Sequence, residues 1–170
     1  MSSTALVRIP VGVVVERRKA ASPWLDFLWR PVSVLSGEPA AAPWTPLGSE
    51  GDVHTFYAGP AVVELFRTET ANYLGNLGSG TPSLWVVLRP TGAEPPYEVF
   101  AVTADPAEGE AFTEAGNDLV DTVPMPNTIV QVLGAFIAEH HVERPFYKRH
   151  RDHADREALA RRSRKREDEK

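Results

Sequence analysis

The chain has 170 residues, 42% hydrophobic and 24% charged, with a net charge of −5 and no cysteine. This profile is typical of one globular domain, and the lack of cysteine excludes disulfides, thiolate nucleophiles, iron–sulfur clusters and cysteine-based zinc sites. No stretch reaches the roughly 20 apolar residues of a membrane helix and no secretory signal pattern is present, so we expect a cytoplasmic protein.

Strands dominate the first half of the chain. Residues 7–15 are rich in valine and isoleucine, which favour a half-buried strand. Residues 29–35 predict a second strand, which a proline- and alanine-rich loop follows. Residues 52–57 and 61–66 flank Ala58-Gly59-Pro60, a spacing that predicts a hairpin.

The second half alternates strands with helices. Residues 83–89 and 97–103 predict two strands joined as a hairpin, and residues 120–123 add a short strand. A short helix is predicted over 105–116, where Asp105 caps the first turn and Pro106 takes the first helical position. A longer helix is predicted over 127–141, because its apolar residues recur at helical spacing.

These elements predict an α+β fold. We expect a mainly antiparallel β-sheet of about five to seven strands, with the long helix of 127–141 and the short helix of 105–116 packed on it. The strongest strands and the long helix should then meet in one core. The residues expected to be buried together there are Trp85, Val87, Val99 and Phe136.

Charge divides the chain into an acidic body and a basic tail. Residues 143–170 hold 11 Lys/Arg and 7 Asp/Glu, whereas the rest of the chain carries a net charge of −9. We expect residues 1–146 to form a single globular domain and residues 147–170 to be a mobile or solvated helical tail. Nucleic-acid binding is not favoured, because three acidic residues follow the basic run 161–166 and no aromatic residue interleaves with it for base stacking.

The sequence presents no recognisable catalytic residue, and it predicts no cofactor. The Gly-x-Ser-x-Gly pattern of serine hydrolases is missing. His150 and His153 share a helical face and are weak candidates for a metal site. They lie in the predicted tail, where nothing would hold ligands in place, so we predict no bound metal.

An aromatic and cationic segment, residues 23–31, is the most unusual feature of the composition. Trp24 and Trp29 lie close to Arg17, Arg18 and Arg30. Tryptophan and arginine are enriched at protein interfaces, so these five residues are our candidates for a partner-binding surface. Both rings can instead cover the sheet and pack in the core, with arginine stacked on them. We expect one tryptophan inside and one at the edge.

Six short segments together resemble a domain-of-unknown-function family, DUF3305. These segments are residues 13–18, 23–32, 62–70, 84–89, 123–126 and 140–146. The resemblance covers roughly residues 7–149. Members of this family tend to be encoded beside molybdenum-dependent formate dehydrogenases, and some are labelled molybdopterin-guanine dinucleotide biosynthesis protein A.

The resemblance implies two possible functions. The first is a non-catalytic accessory protein that assists assembly or maturation of a molybdenum-dependent formate dehydrogenase, with that enzyme or its maturation machinery as protein partner. The alternative is a nucleotide- or molybdopterin-binding protein of molybdenum cofactor biosynthesis, as the guanylyltransferase-like label implies. Such an enzyme needs a glycine-rich loop after its first strand, and here charged residues without glycine, 16–19, follow instead. We therefore favour the accessory protein and a protein partner.

Overall fold

A computed structural model describes residues 4–142. Within this range the chain forms seven strands and three α-helices. The strands are β1 (Val7–Lys19), β2 (Phe27–Ser36), β3 (Thr45–Glu50), β4 (Val53–Leu65), β5 (Ser83–Pro90), β6 (Tyr97–Thr103) and β7 (Leu119–Pro124). The helices are α1 (Thr70–Gly78), which a 3-10 turn (Arg67–Glu69) precedes, α2 (Pro106–Glu114) and α3 (Asn127–His140).

The strands form two antiparallel sheets, which enclose the core between them. The first sheet has four strands in the order β2-β1-β4-β3, and the second has three in the order β6-β5-β7. At their margins β4 lies against β6 and β2 against β7. Alternate residues of β1 and β5 face inwards, as the two-residue period of a strand requires. These fully buried residues are Val11, Val13, Val15, Leu84, Val86 and Leu88.

The predicted fold class is wrong in two respects, although helices and antiparallel strands are indeed mixed. There are two sheets instead of one, because α1 carries the chain away from β4 and β5 then starts a separate sheet. No helix within residues 4–142 is long: α3 has 14 residues, close to the average for globular proteins. Strand composition does not reveal which strands pair, so the sequence could not divide the sheets.

The predicted hairpin around Ala58-Gly59-Pro60 is also wrong, because β4 runs through these residues without turning. Gly59 has φ of +145°, which favours glycine. The pairing of β4 with β1 shifts by one residue at this point, between Val13 and Val14. Glycine here marks a bulge inside a strand. The actual turn lies at Gly51, before β4, where the unpredicted strand β3 ends.

The predicted common core is confirmed for Phe136 and for Val99, which packs against the same cluster. It is wrong for Trp85 and Val87, which lie outside that cluster, although Val87 is fully buried. Phe136 is buried in the core cluster with the inward residues of β5, whereas Trp85 and Val87 alternate with those residues and face the other side of the sheet. Helix α2 lies on that side, with Gly109 against the Trp85 ring. The predicted start of α2 is confirmed: the Asp105 carboxylate accepts a hydrogen bond of 2.9 Å from the Ala107 N–H.

Helices α1 and α3 pack together at one end of the first sheet. The rings of Tyr73 and Phe136 meet edge to face with their centroids 6.1 Å apart. Val7, at the start of β1, pairs with Leu65, just before the chain enters α1. No helix within residues 4–142 has the length and apolar character needed to cross a membrane.

Candidate protein-binding surface

Strands β1 and β2 form a hairpin whose loop lies at the end of the first sheet opposite α1. The strands pair from Val11 with Ser36 to Lys19 with Phe27. Residues 20–26 connect them, closed by a 3.1 Å hydrogen bond from the Ala20 N–H to the Asp26 carbonyl. Because β1 has 13 residues, the loop lies about 40 Å from the start of that strand.

Large apolar side chains are exposed at this loop and at the start of β2. Trp24 is 90% exposed, Leu25 56% and Phe27 41%. Leu28, the cross-strand partner of Arg18, is also exposed but lies on the opposite face of the hairpin from Phe27. We call Trp24, Leu25 and Phe27 the hairpin-end patch. Single exposed apolar residues are common, but several within one short segment indicate an interaction site.

An aromatic cluster lies beside the patch and ties it to both sheets. Trp29 is its hub: its ring centroid lies 5.7 Å from that of Trp44, 6.1 Å from Phe56, 6.3 Å from Tyr97 and 6.5 Å from Phe27. Tyr97 comes from the second sheet, Phe27 and Phe56 from strands of the first, and Trp44 from the turn just before β3. The partly buried Trp29 therefore stiffens the base of the patch, since such ring pairs add to the energy of area burial.

Arg17 lies on this cluster. Its guanidinium carbon is 4.4 Å from the ring centroid of Phe27, 5.3 Å from Phe56 and 5.7 Å from Trp29. The side chain reaches the rings because Arg17 is the cross-strand partner of Trp29. Its Nε atom is buried and has no hydrogen-bond partner among the described residues. The arginine is thus held by cation–π contacts.

Arg18 and Arg30 do not join this surface. They follow Arg17 and Trp29 in their strands, so alternation places them on the opposite face of the hairpin. There both contact one carboxylate: Glu16 Oε1 lies 3.3 Å from Nη2 of Arg18 and 3.5 Å from Nε of Arg30. The five residues predicted from the sequence are therefore divided among the two faces of the hairpin and its loop, where Trp24 lies.

Sequence reasoning missed three members of the aromatic cluster. Phe56 and Tyr97 reach it through strand pairing and sheet packing, for which the sequence carries no local signal. Trp44 is held beside Trp29 with φ of +68°, an unusual conformation for a bulky residue. Outliers of this kind are concentrated at functional sites.

A cavity of about 660 Å³ lies at the opposite end of the molecule, between the 3-10 turn and the end of α3. Arg67, Thr68, Thr70, His140 and His141 line it with Ala71 and Val142. The Nδ1 atom of His141 and the Thr70 hydroxyl are 3.0 Å apart, in hydrogen-bond contact. Among the lining residues, Arg67 and the threonine hydroxyls are groups that can bind an anion.

No group of three or more His, Asp or Glu side chains that could hold a metal ion occurs within residues 4–142. The weak metal candidates His150 and His153, and the predicted tail of 147–170, lie outside the described residues. Both remain predictions.

Comparison with known proteins identifies a family. A family model described as "Protein of unknown function (DUF3305)" matches residues 10–150. No curated protein and no solved structure gives a significant match. The match agrees with the resemblance found in the sequence and spans well over half of the chain, including the hairpin, both sheets and all three described helices. The chain therefore belongs to the DUF3305 family of proteins of unknown function.

Proposed function

We propose that this protein is a non-catalytic accessory protein of the cytoplasm that binds another protein through the hairpin-end patch. The observation that carries the proposal is the 90% exposure of Trp24 within a group of exposed apolar residues. Tryptophan is the residue type most often found at the energetic centre of interfaces. The Trp29 cluster supplies a rigid base, which lowers the entropy lost on binding.

The partner in this proposal is a molybdenum-dependent formate dehydrogenase or a component of its maturation machinery. The family supports this choice, because its members tend to be encoded beside such enzymes. An accessory protein of this kind needs a surface that holds its client and no reacting groups of its own. The hairpin-end patch is an exposed apolar surface of this kind and contains no reacting group.

Isothermal titration of a purified formate dehydrogenase into the full chain tests the proposal. Replacing an anchoring tryptophan costs about 2 kcal/mol or more of binding energy, so Trp24→Ala should raise Kd by about 30-fold. Leu74→Ala is a matched control, because Leu74 is 47% exposed on α1, away from the patch. Its Kd should equal that of the wild type. No binding by the wild type, or equal losses in both variants, would refute the proposal.

A second candidate function is binding of a nucleotide or molybdopterin, and the cavity beside α1 favours it. Arg67 and the hydroxyls of Thr68 and Thr70 border that cavity, and groups of this kind bind phosphate. A rise in melting temperature with saturating GTP that Arg67→Gln abolishes would support this function. Under the accessory function we expect no shift.

A further inference from the structure

The arginines of the described residues differ in how their charge is compensated. Four of them contact a carboxylate within 3.5 Å: Arg8, Arg18, Arg30 and Arg89. Within residues 4–142, no carboxylate lies within ion-pair distance of Arg17. Arg17 therefore presents an uncompensated positive charge beside the hairpin-end patch.

The aromatic rings stabilise the charge of Arg17 but do not satisfy its N–H groups. A guanidinium has five N–H donors in its plane. A carboxylate accepts hydrogen bonds from such donors, whereas the face of an aromatic ring does not. The buried Nε is closed to an approaching group, whereas the half-buried side chain as a whole remains accessible. A partner must then reach the guanidinium at its terminal nitrogens.

We infer that the partner segment bound by the hairpin-end patch is apolar and carries a carboxylate, which the terminal nitrogens of Arg17 bind. This inference rests on the proposed function and specifies the chemistry of its partner. Apolar side chains of the segment cover Trp24 and Leu25 while its acidic side chain pairs with Arg17. Arginine bound at a fixed position favours carboxylates, since its donors match their two oxygens.

Two peptides that differ in charge alone test this inference on the full chain. The probes are acetyl-Leu-Glu-Leu-Glu-Leu-amide and its counterpart with glutamine in place of glutamate, titrated while the indole N–H signals are followed by NMR. The glutamate peptide should bind at least about 5-fold tighter, because a charge pair that is shielded from water adds binding energy of that order. The ratio of the two dissociation constants should fall when NaCl rises from about 50 mM to about 500 mM, because salt screens a charge pair. This tests the electrostatic origin of the preference without any mutation.

Variants assign that preference to one residue. Arg17→Gln should abolish it, and Arg17→Lys should retain part of it, because lysine keeps the charge without the planar donors. Arg18→Gln is the matched control on the opposite face of the same strand and should leave the preference intact. Equal binding of the two peptides, binding of neither, or an equal loss in Arg18→Gln would overturn the inference. So would a dimer of this chain that Trp24→Ala dissociates, since a second copy would then cover the patch.

The two proposals fail separately. If formate dehydrogenase binds the wild type and Arg17→Gln equally but binds Trp24→Ala weakly, the carboxylate inference is overturned and the accessory function stands. If the glutamate peptide is preferred and the dehydrogenase does not bind, the inference stands and the proposed partner is wrong.

Discussion

Gly109→Ala should destabilise the protein, although alanine is the better helix former. A Cβ atom at Gly109 would lie 2.2 Å from Cγ and 2.3 Å from Cδ1 of Trp85, whereas unstrained carbon contacts are about 3.5–4.0 Å. Cγ is one bond from Cβ of Trp85, so the indole cannot swing clear unless α2 or the strand moves. Overpacking of this kind costs about 1–3 kcal/mol, which outweighs the roughly 1 kcal/mol that alanine adds to a helix.

Gly134→Ala is the control for this substitution. It lies inside α3, and an added Cβ meets no atom within 4 Å. It should therefore stabilise the protein by about 0.5–1 kcal/mol. Urea unfolding followed by circular dichroism gives both free energies. A Gly109→Ala variant as stable as the wild type, beside a stabilised Gly134→Ala, would show that α2 does not pack on Trp85.

Four substitutions probe the core, the aromatic cluster and the hairpin-end patch. Phe136→Ala should lower the free energy of unfolding by about 3–5 kcal/mol, and a loss below about 1 kcal/mol would contradict the packing of α3. Burial raises the pKa of Tyr73 to about 12 from its ordinary 10.0, so the unfolded chain loses its phenolic proton first and wild-type stability should fall between these pH values. Tyr73→Phe should show a smaller fall, because the buried Tyr57, whose pKa burial also raises, remains, and an identical pH profile would contradict the burial of Tyr73. Trp29→Ala should destabilise by about 3 kcal/mol or more, whereas Trp24→Ala should cost less than about 0.5 kcal/mol; equal effects would contradict the division between cluster and patch.

Local chemistry predicted the elements that depend on it. The valine-rich strands β1 and β5 and the start of α2 at Asp105 follow from side-chain shape and capping. Helix α1 depends on distant groups instead. The buried amide of Asn76 donates to the carbonyls of Ser83 and Ala104 and accepts from the Ser83 N–H, at 2.8, 2.9 and 3.0 Å. Such tertiary hydrogen bonds fix this helix, and they join groups that no local sequence pattern brings together.

The candidate site was predicted in composition but not in geometry. The expectation of one tryptophan inside and one at the edge is met in part. Trp29, at a paired strand position, is partly buried against the core, whereas Trp24, in the loop, is 90% exposed. Which arginine lies on the rings depended on the strand register, and a shift of one residue would have exchanged Arg17 for Arg18. Tyr97 arrives from the second sheet, and no spacing along the chain encodes that contact.

Trp24 itself reports most directly whether the patch binds a partner. The chain has four tryptophans, so labelling with 5-fluorotryptophan gives four ¹⁹F resonances, and Trp24→Phe identifies that of Trp24. When purified formate dehydrogenase is added, we predict that the Trp24 resonance shifts and loses its sensitivity to the exchange of H₂O for D₂O, while that of Trp85 stays unchanged. A complex that forms while the Trp24 resonance keeps its position and its solvent sensitivity would contradict the proposed binding surface.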